Sequence, residues 1–224
     1  MGSLSVKAAV CTDIGLNRTN NEDNYYLGGK YLTSEDDSFS HIAVEHPHPQ
    51  GVFAVFDGMG GQSRGEFASY WAAKTLNKYK DRILRDGPKK TYDYVQDAND
   101  KICKEMEKSG ERIGSTAVIL SVENGKARVY NLGDSRAYYM HKGQMYQLSK
   151  DHTVADQLYE LNMLTKEEAM RDVRKHKLTK HLGIFPSEMR LRPYISSSIK
   201  IENGDLFILC SDGVTESVSC RVLY

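Results

Sequence analysis

Gly51-Val52-Phe53-Ala54-Val55-Phe56-Asp57-Gly58-Met59-Gly60-Gly61 is an almost wholly apolar run that stops at an acid set among glycines. A short run rich in Val and Phe and closed by Gly reads as a buried strand. The strand carries Asp57 to its end, and the glycines that follow let backbone carbonyls approach whatever that carboxylate holds. An acid in such a place is costly unless it is paired or bound to a cation. The same letters also fit a plain strand followed by an Asp-Gly turn. The rest of the chain has to decide.

Upstream, 6–11 and 24–27 read as strands, and the loop between them carries Arg18 and then the acidic pair Glu22-Asp23. Those charges are not needed for packing at the lip of a strand, although a solvated charged loop has the same composition. The stretch 33–50 mixes Ser, Asp, His and Pro and reads as a surface excursion. Its histidines, His41, His46 and His48, lack the helical spacing of a metal site. Downstream the period changes. Phe67, Trp71, Ala72, Leu76, Tyr79 and Ile83 suit one face of a helix over about 65–84, which Asp86-Gly87-Pro88 stops. Tyr94, Ala98, Ile102 and Met106 suit a second over about 91–108.

Strands then return at 115–122 and 127–132, with Asn124-Gly125 between them as a hairpin signal. Gly133-Asp134-Ser135-Arg136 follows, then strands at 137–141 and 145–148. The stretch 151–183 reads as helical and polar, with Thr165 placed as a cap. Strands at 193–201 and 205–210 flank Asn203-Gly204, and the second ends in Ser211-Asp212-Gly213.

Composition narrows the class. The chain has 224 residues and 25.3 kDa, enough for one domain spanning 1–224. Apolar content of 40% and charged content of 27% are those of a soluble globular protein. Thirty basic against thirty acidic residues remove the electrostatic case for a nucleic-acid partner. No apolar stretch is long enough for a membrane span, and 1–7 is too short and polar for a signal peptide, so the expected location is cytoplasmic. Cys11, Cys103, Cys210 and Cys220 are scattered, without Cys-x-x-Cys spacing, and read as reduced thiols.

Two strands of one style therefore end in Asp-Gly, a third ends in Gly-Asp, and an Arg-plus-acid loop comes early. If packed sheets bring these ends together, several carboxylates share one cleft. Like charges about 4 Å apart repel by roughly 1 to 4 kcal/mol in fairly polar surroundings. Divalent cations relieve that repulsion, and oxygen ligands with glycine carbonyls suit Mg²⁺ or Mn²⁺ rather than zinc. A pair of such ions can clamp an in-line displacement at phosphorus.

Taken in order, Arg18…Glu22-Asp23, Val55-Phe56-Asp57-Gly58-Met59-Gly60-Gly61, Gly114-Ser115-Thr116-Ala117, Asn131-Leu132-Gly133-Asp134-Ser135-Arg136 and Cys210-Ser211-Asp212-Gly213-Val214-Thr215-Glu216 resemble the motifs of the metal-dependent protein serine/threonine phosphatases of the protein phosphatase 2C type. Met59, where eukaryotic relatives usually carry His, resembles the bacterial branch. The resemblance implies an α+β fold, a four-layer α-β-β-α sandwich in which two antiparallel sheets are flanked by helix pairs and the metals lie between the sheets. It implies two Mg²⁺ or Mn²⁺ ions, with a third held more weakly. Asp57 would bridge two of them, the Gly58 carbonyl, Glu22 and Asp23 would serve one, and Asp212 the other. Asp134 with Glu216 would match the acids of the third ion, although Glu216 stands where Asp is usual. Arg18 would bind the substrate phosphate, a metal-bridging hydroxide would attack phosphorus, and 151–183 would form the flap beside the substrate. The implied partners are phosphorylated proteins and a serine/threonine kinase whose signalling the phosphatase opposes, with the chain acting as a monomer.

The family pattern also includes a later strand pair with an Asp-Asn motif, for which 217–224 has no counterpart, so the expected sandwich lacks its last strands and one metal lacks a ligand. Two readings follow. One is a phosphatase acting on phosphoserine and phosphothreonine. The other is a catalytically impaired phosphatase-like domain that binds phosphoproteins or another partner.

Overall fold

Side chains of the strand Gly51–Phe56 alternate between half-buried and buried, and each parity faces a different layer of the molecule. In the computed structural model, which describes residues 5–16, 18–33, 40–60 and 64–217, this strand is β4. Before it come β1 (Val6–Asp13), β2 (Asn24–Leu27) and β3 (Ser40–His48), and after it β5 (Gly58–Gly60), α1 (Gly65–Asp86) and α2 (Pro88–Ser109). Next are β6 (Ile113–Ser115), β7 (Ala117–Glu123), β8 (Lys126–Leu132), β9 (Arg136–His141) and β10 (Gln144–Gln147). Short helices α3 (Val154–Glu160) and α4 (Lys166–Arg171) and a 3₁₀ turn at Val173–His176 lead to β11 (Tyr194–Ile195), β12 (Ile199–Lys200), β13 (Leu206–Cys210) and α5 (Asp212–Ser217). Gly61, Cys220 and the last residues to Tyr224 lie outside the described residues. Among those described, no helix is long and apolar enough to cross a membrane.

The main sheet runs β11-β8-β7-β4-β2, with β12 also on β8, and a second sheet runs β10-β9-β13. Every strand pairing is antiparallel. Val52, Ala54 and Phe56 pack with Ala68, Ala72 and Leu76 of α1 and Tyr94, Ala98 and Ile102 of α2. The opposite parity, Phe53 and Val55, packs with Val118, Leu120, Val129, Ala137, Phe207 and Leu209 between the two sheets. A strand buried on both faces explains why β4 reads as continuous apolar residues instead of an alternating pattern. Burying a side chain such as Phe56 or Leu76 contributes about 1.5–3 kcal/mol. The result is the expected α+β sandwich. Its helix pair α1–α2 covers the main sheet, and α5 follows β13 directly and packs against it.

Three local readings need amending. The stretch 33–50 is not all excursion: β3 pairs with β1, with Ala9 opposite Val44 and Thr12 opposite His41. The edge of β1 supplies the ladder there, so pairing overrides a composition that favours loop. Helix α2 starts at Pro88 instead of about 91, because Gly87 turns the chain at φ +49° and Pro is tolerated where no N–H partner is needed. Finally, 151–183 holds only two short helices and the 3₁₀ turn. Thr165 does cap α4, in a reciprocal box with Glu168. The segment is closed at its base by backbone bonds from Val154 N–H to the Lys177 carbonyl and from Thr179 N–H to the His152 carbonyl.

Candidate active site

Where β4 ends, the chain cannot run free, because its last peptide groups are already engaged. Asp57 N–H donates to Thr116 Oγ1 at 2.9 Å, and Thr116 N–H donates to the Asp57 carbonyl at 2.9 Å. Thr116 Oγ1 in turn lies 2.6 Å from Ser135 Oγ, in the turn that carries Asp134. Two acid-bearing turns are thus fastened to one buried threonine. Replacing it by valine keeps the shape and removes both bonds. Thr116→Val is expected to cost about 1–3 kcal/mol in urea unfolding, because buried groups lose their partners. A variant as stable as its parent would show that Thr116 does not hold the turns.

Glu22 and Asp23 reach the same place from the other side of the sheet. The Glu22 carbonyl accepts from Gly58 N–H at 3.2 Å and from Ser69 Oγ at 2.7 Å, and its Oε1 accepts from Gly65 N–H at 2.9 Å. Glu22 therefore satisfies one of the open donors at the start of α1. Asp23 Oδ2 accepts from Ser211 Oγ at 2.6 Å, which ties the early loop to the end of β13. Gly133 sits at φ +95°, its N–H donates to His152 Nδ1 at 3.2 Å, and its carbonyl accepts from His152 N–H. Burial, then Lys180 and Lys150, push His152 down to about 4, so the ring stays neutral and can accept that bond. Arg136, beside Asp134, is committed to Asp151, with Nη2 and Nε at 2.6 and 2.9 Å from Oδ2.

The acids act on one another. Burial, then the charges of Asp23, Asp212 and Asp134, hold Asp57 well above the usual carboxylate range. Burial, against the Ser211 hydroxyl and with Asp212, raises Asp23 to about 6. Burial and then Asp212 raise Asp134 to about 7. Among the described residues no ion pair involves Glu22, Asp23, Asp57, Asp134 or Asp212. Carboxylates so placed resist ionising together unless positive charge enters, and all-oxygen donors suit hard divalent ions. The donor set fits the metals that the resemblance implies.

Arg18, Glu22, Asp23, Asp57, Gly58 and Asp212 line one cleft of about 1120 Å³, which continues between the facing edges of β1 and β13. Glu216 also lines it, but its carboxylate lies against His176, with Oε1 3.0 Å from Nδ1. Asp134 is not part of that lining and meets the group through Asp57 and Asp212. Met59 borders a separate pocket with Arg112, His181 and Glu188. The hydroxyls of Ser69, Ser135 and Ser211, and His152, support the site although nothing local in the sequence marks the first or the last of them.

Comparison with known proteins identifies the family and the fold. A family model described as protein phosphatase 2C matches residues 32–222. The chain is 30% identical over 216 residues to serine/threonine phosphatase stp of Listeria innocua, covering 92% of this chain and 77% of that protein. It is 29% identical over 224 residues to serine/threonine protein phosphatase PstP of Mycobacterium tuberculosis, covering 97% of this chain and 38% of that protein. The crystal structure of the Mycobacterium tuberculosis phosphatase PstP/Ppp superposes with a TM-score of 0.79 at 26% identity, over 98% of this chain and 84% of that one. A structure of the PstP catalytic domain in complex with two manganese ions gives 0.73 at 26% identity, over 97% and 83%.

Proposed function

We propose roles for the individual cleft residues on the ground that this chain belongs to the protein phosphatase 2C family, the metal-dependent protein serine/threonine phosphatases. Its reaction is hydrolysis of phosphoserine and phosphothreonine on proteins. The observation that carries the residue roles is the half-buried group of Asp23, Asp57 and Asp134, raised together by burial and by one another's or Asp212's charge, with no ion pair to any of them among the described residues. Asp57 would hold both ions. The Gly58 carbonyl, Glu22 and Asp23 would help to hold one of them, with Glu22 also fixed to α1 through Gly65. Asp212 would help to hold the other. Asp134 and Glu216 remain for a further ion and face different sides, Asp134 toward Asp57 and Glu216 toward His176.

Bound divalent ions supply a nucleophilic water at neutral pH and neutralise charge on the phosphoryl group. The chain's own residues do the rest. Arg18, exposed at the cleft, takes two phosphate oxygens in a charge-assisted fork. The oxygen of water adds to phosphorus, the bond to the seryl or threonyl oxygen breaks, and that oxygen takes up a proton. Met59 has no proton to give, so the acid is not the side chain at that position. Of the two hard ions, Mn²⁺ is favoured by the manganese-bound relative. We place the protein in the cytoplasm of a bacterium, as a monomer that opposes a serine/threonine kinase in signal transduction.

The test is hydrolysis of a phosphothreonine peptide by the chain in Mn²⁺, in Mg²⁺ and in EDTA. Turnover in metal that EDTA abolishes is the expected result. No turnover in any metal, with the phosphopeptide still bound, would leave the phosphoprotein-binding reading in its place.

A further inference from the structure

The chain carries thirty basic and thirty acidic residues, yet its charges are not evenly spread. Over 171–180 stand Arg171, Arg174, Lys175, Lys177 and Lys180 against the single acid Asp172. Arg171, Arg174, Lys175 and Lys177 are exposed, on and beside the 3₁₀ turn at Val173–His176. Arg174 is engaged: its Nη2 lies 2.7 Å from Asp172 Oδ2, and its N–H donates to the same carboxylate at 2.8 Å. Arg171, Lys175 and Lys177 have no ion pair among the described residues. Asp151, Glu160 and Glu168 of the segment 151–183 are taken up elsewhere, by Arg136, Lys150 and Thr165.

The fold sets this turn at the lip of the cleft. Where the segment begins, His152 exchanges two bonds with Gly133, the neighbour of Asp134. Where it ends, Leu182 exchanges two with Ser115, which pairs with Gly58. Between those anchors His176 Nδ1 lies 3.0 Å from Oε1 of Glu216, a residue that lines the cleft.

We propose that Arg171, Lys175 and Lys177 form a basic ridge that reads negative charge beside the target phosphoresidue, so that the preferred substrates are phosphoprotein segments with flanking carboxylates or a second phosphate. This deepens the phosphatase reading above and rests on it. Like charges that no acid offsets repel one another and gain the fold nothing. An anionic segment laid across them gains from all three, the lysines acting as point charges and Arg171 as a fork for carboxylate or phosphate. A ridge that merely balanced the acids of the cleft would pair with them. Among the described residues the one ion pair between the two groups is that of His176 with Glu216. Attraction between such exposed charges acts within a screening length of about 8 Å at physiological salt, so it weakens as salt is added.

The experiment measures kcat/KM of the full chain in Mn²⁺ on phosphothreonine peptides that differ only in the flank. The flanks are neutral, rich in Asp and Glu, rich in Lys and Arg, or carry a second phosphothreonine. An aryl phosphate, which has no flank, is the control substrate. The parent is compared with the triple variant Arg171→Gln, Lys175→Gln, Lys177→Gln and with the reversal Lys175→Glu, Lys177→Glu. One exposed ion pair is worth up to about fivefold, so the parent is expected to favour the anionic flanks about tenfold or more over the neutral one. Salt at about 0.5 M should remove that advantage. The triple variant should treat all flanks alike and hydrolyse the aryl phosphate at the parent's rate, and the reversal should favour the Lys and Arg flank. An advantage for the second phosphate alone assigns the ridge to phosphate, and one shared with the acidic flank assigns it to charge. No anionic advantage in the parent, or an equal one in the triple variant, would overturn the ridge while turnover of the aryl phosphate keeps the phosphatase reading. If the parent hydrolyses nothing, that reading fails, and fluorescence anisotropy of the same peptides still decides the ridge. Tighter binding of anionic flanks by the parent than by the triple variant supports it, and equal binding overturns it.

Discussion

Asp57→Asn is expected to abolish turnover and, in the metal-free chain, to raise stability. The two effects have one cause. Asp57 is held well above the usual carboxylate range by burial and by Asp23, Asp212 and Asp134, so its charge is opposed by everything around it except a cation. Asparagine keeps the size and removes the charge. Relieving like-charge repulsion of roughly 1 to 4 kcal/mol should raise the melting temperature of the metal-free protein by several degrees. If Asp57 holds the ions as proposed, its loss should lower kcat by about 10³-fold or more, because several kcal/mol of transition-state stabilisation go with it.

The same acids give the metal-free protein a characteristic pH dependence. Asp23 and Asp134 are raised from 3.8 to about 6 and about 7. Between those values the native chain binds more protons than the unfolded one, so stability must fall as pH rises from about 4 through about 7. Saturating Mn²⁺ should flatten or reverse that slope, because the ions favour the ionised acids and bind only the folded state. Thermal melts of parent and Asp57→Asn across pH 4 to 8, with EDTA and with Mn²⁺, read all of this. A metal-free Asp57→Asn that melts below its parent would sink the account.

Gly58→Ala should do the opposite and remove the fold's tolerance altogether. An added Cβ at Gly58 would stand 2.3 Å from the Glu22 carbonyl oxygen and 2.4 Å from that of Gly65. Both are backbone atoms, and neither can swing aside as a side chain does. Gly65 meets the same crossing from the far side, where a Cβ would lie 2.7 Å from the Gly58 carbonyl carbon and 2.8 Å from Glu22 Cδ. Three backbone segments, carrying Glu22, Asp57-Gly58 and the start of α1, pass too closely for any side chain between them. Forcing one in costs about 3 kcal/mol or more, at the upper end of overpacking, and must displace Glu22 from Gly65 N–H. Gly110→Ala is the control. Gly110 has open space around its Cβ position, and its φ of +74° leaves only the backbone strain of roughly 1–2 kcal/mol. Urea unfolding of the two variants separates collision from strain. A Gly58→Ala chain no less stable than Gly110→Ala would mean that the crossing can open, and Mn²⁺ affinity should then survive as well.

Much of this was legible in the chain alone because it depends on neighbours a few residues away. The continuous apolar run of β4, its stop at Asp57-Gly58, the helical period of α1 and α2, and the second Asp-Gly after β13 are all local patterns. Their order along the chain was enough to bring the family into view, and with it the sandwich and the acids. What tertiary structure decided involves partners far apart. Ser211 bonds Asp23 across 188 positions, Asp57 is pinned by Thr116, and Glu22 caps a helix that begins at Gly65. β3 exists because β1 offers it an edge, and His176 meets Glu216 because the segment 151–183 folds back to α5. Periodicity and turn chemistry act through the backbone of adjacent residues, so sequence carries them. A contact between distant residues exists only once the sheets have stacked, so the fold alone supplies it.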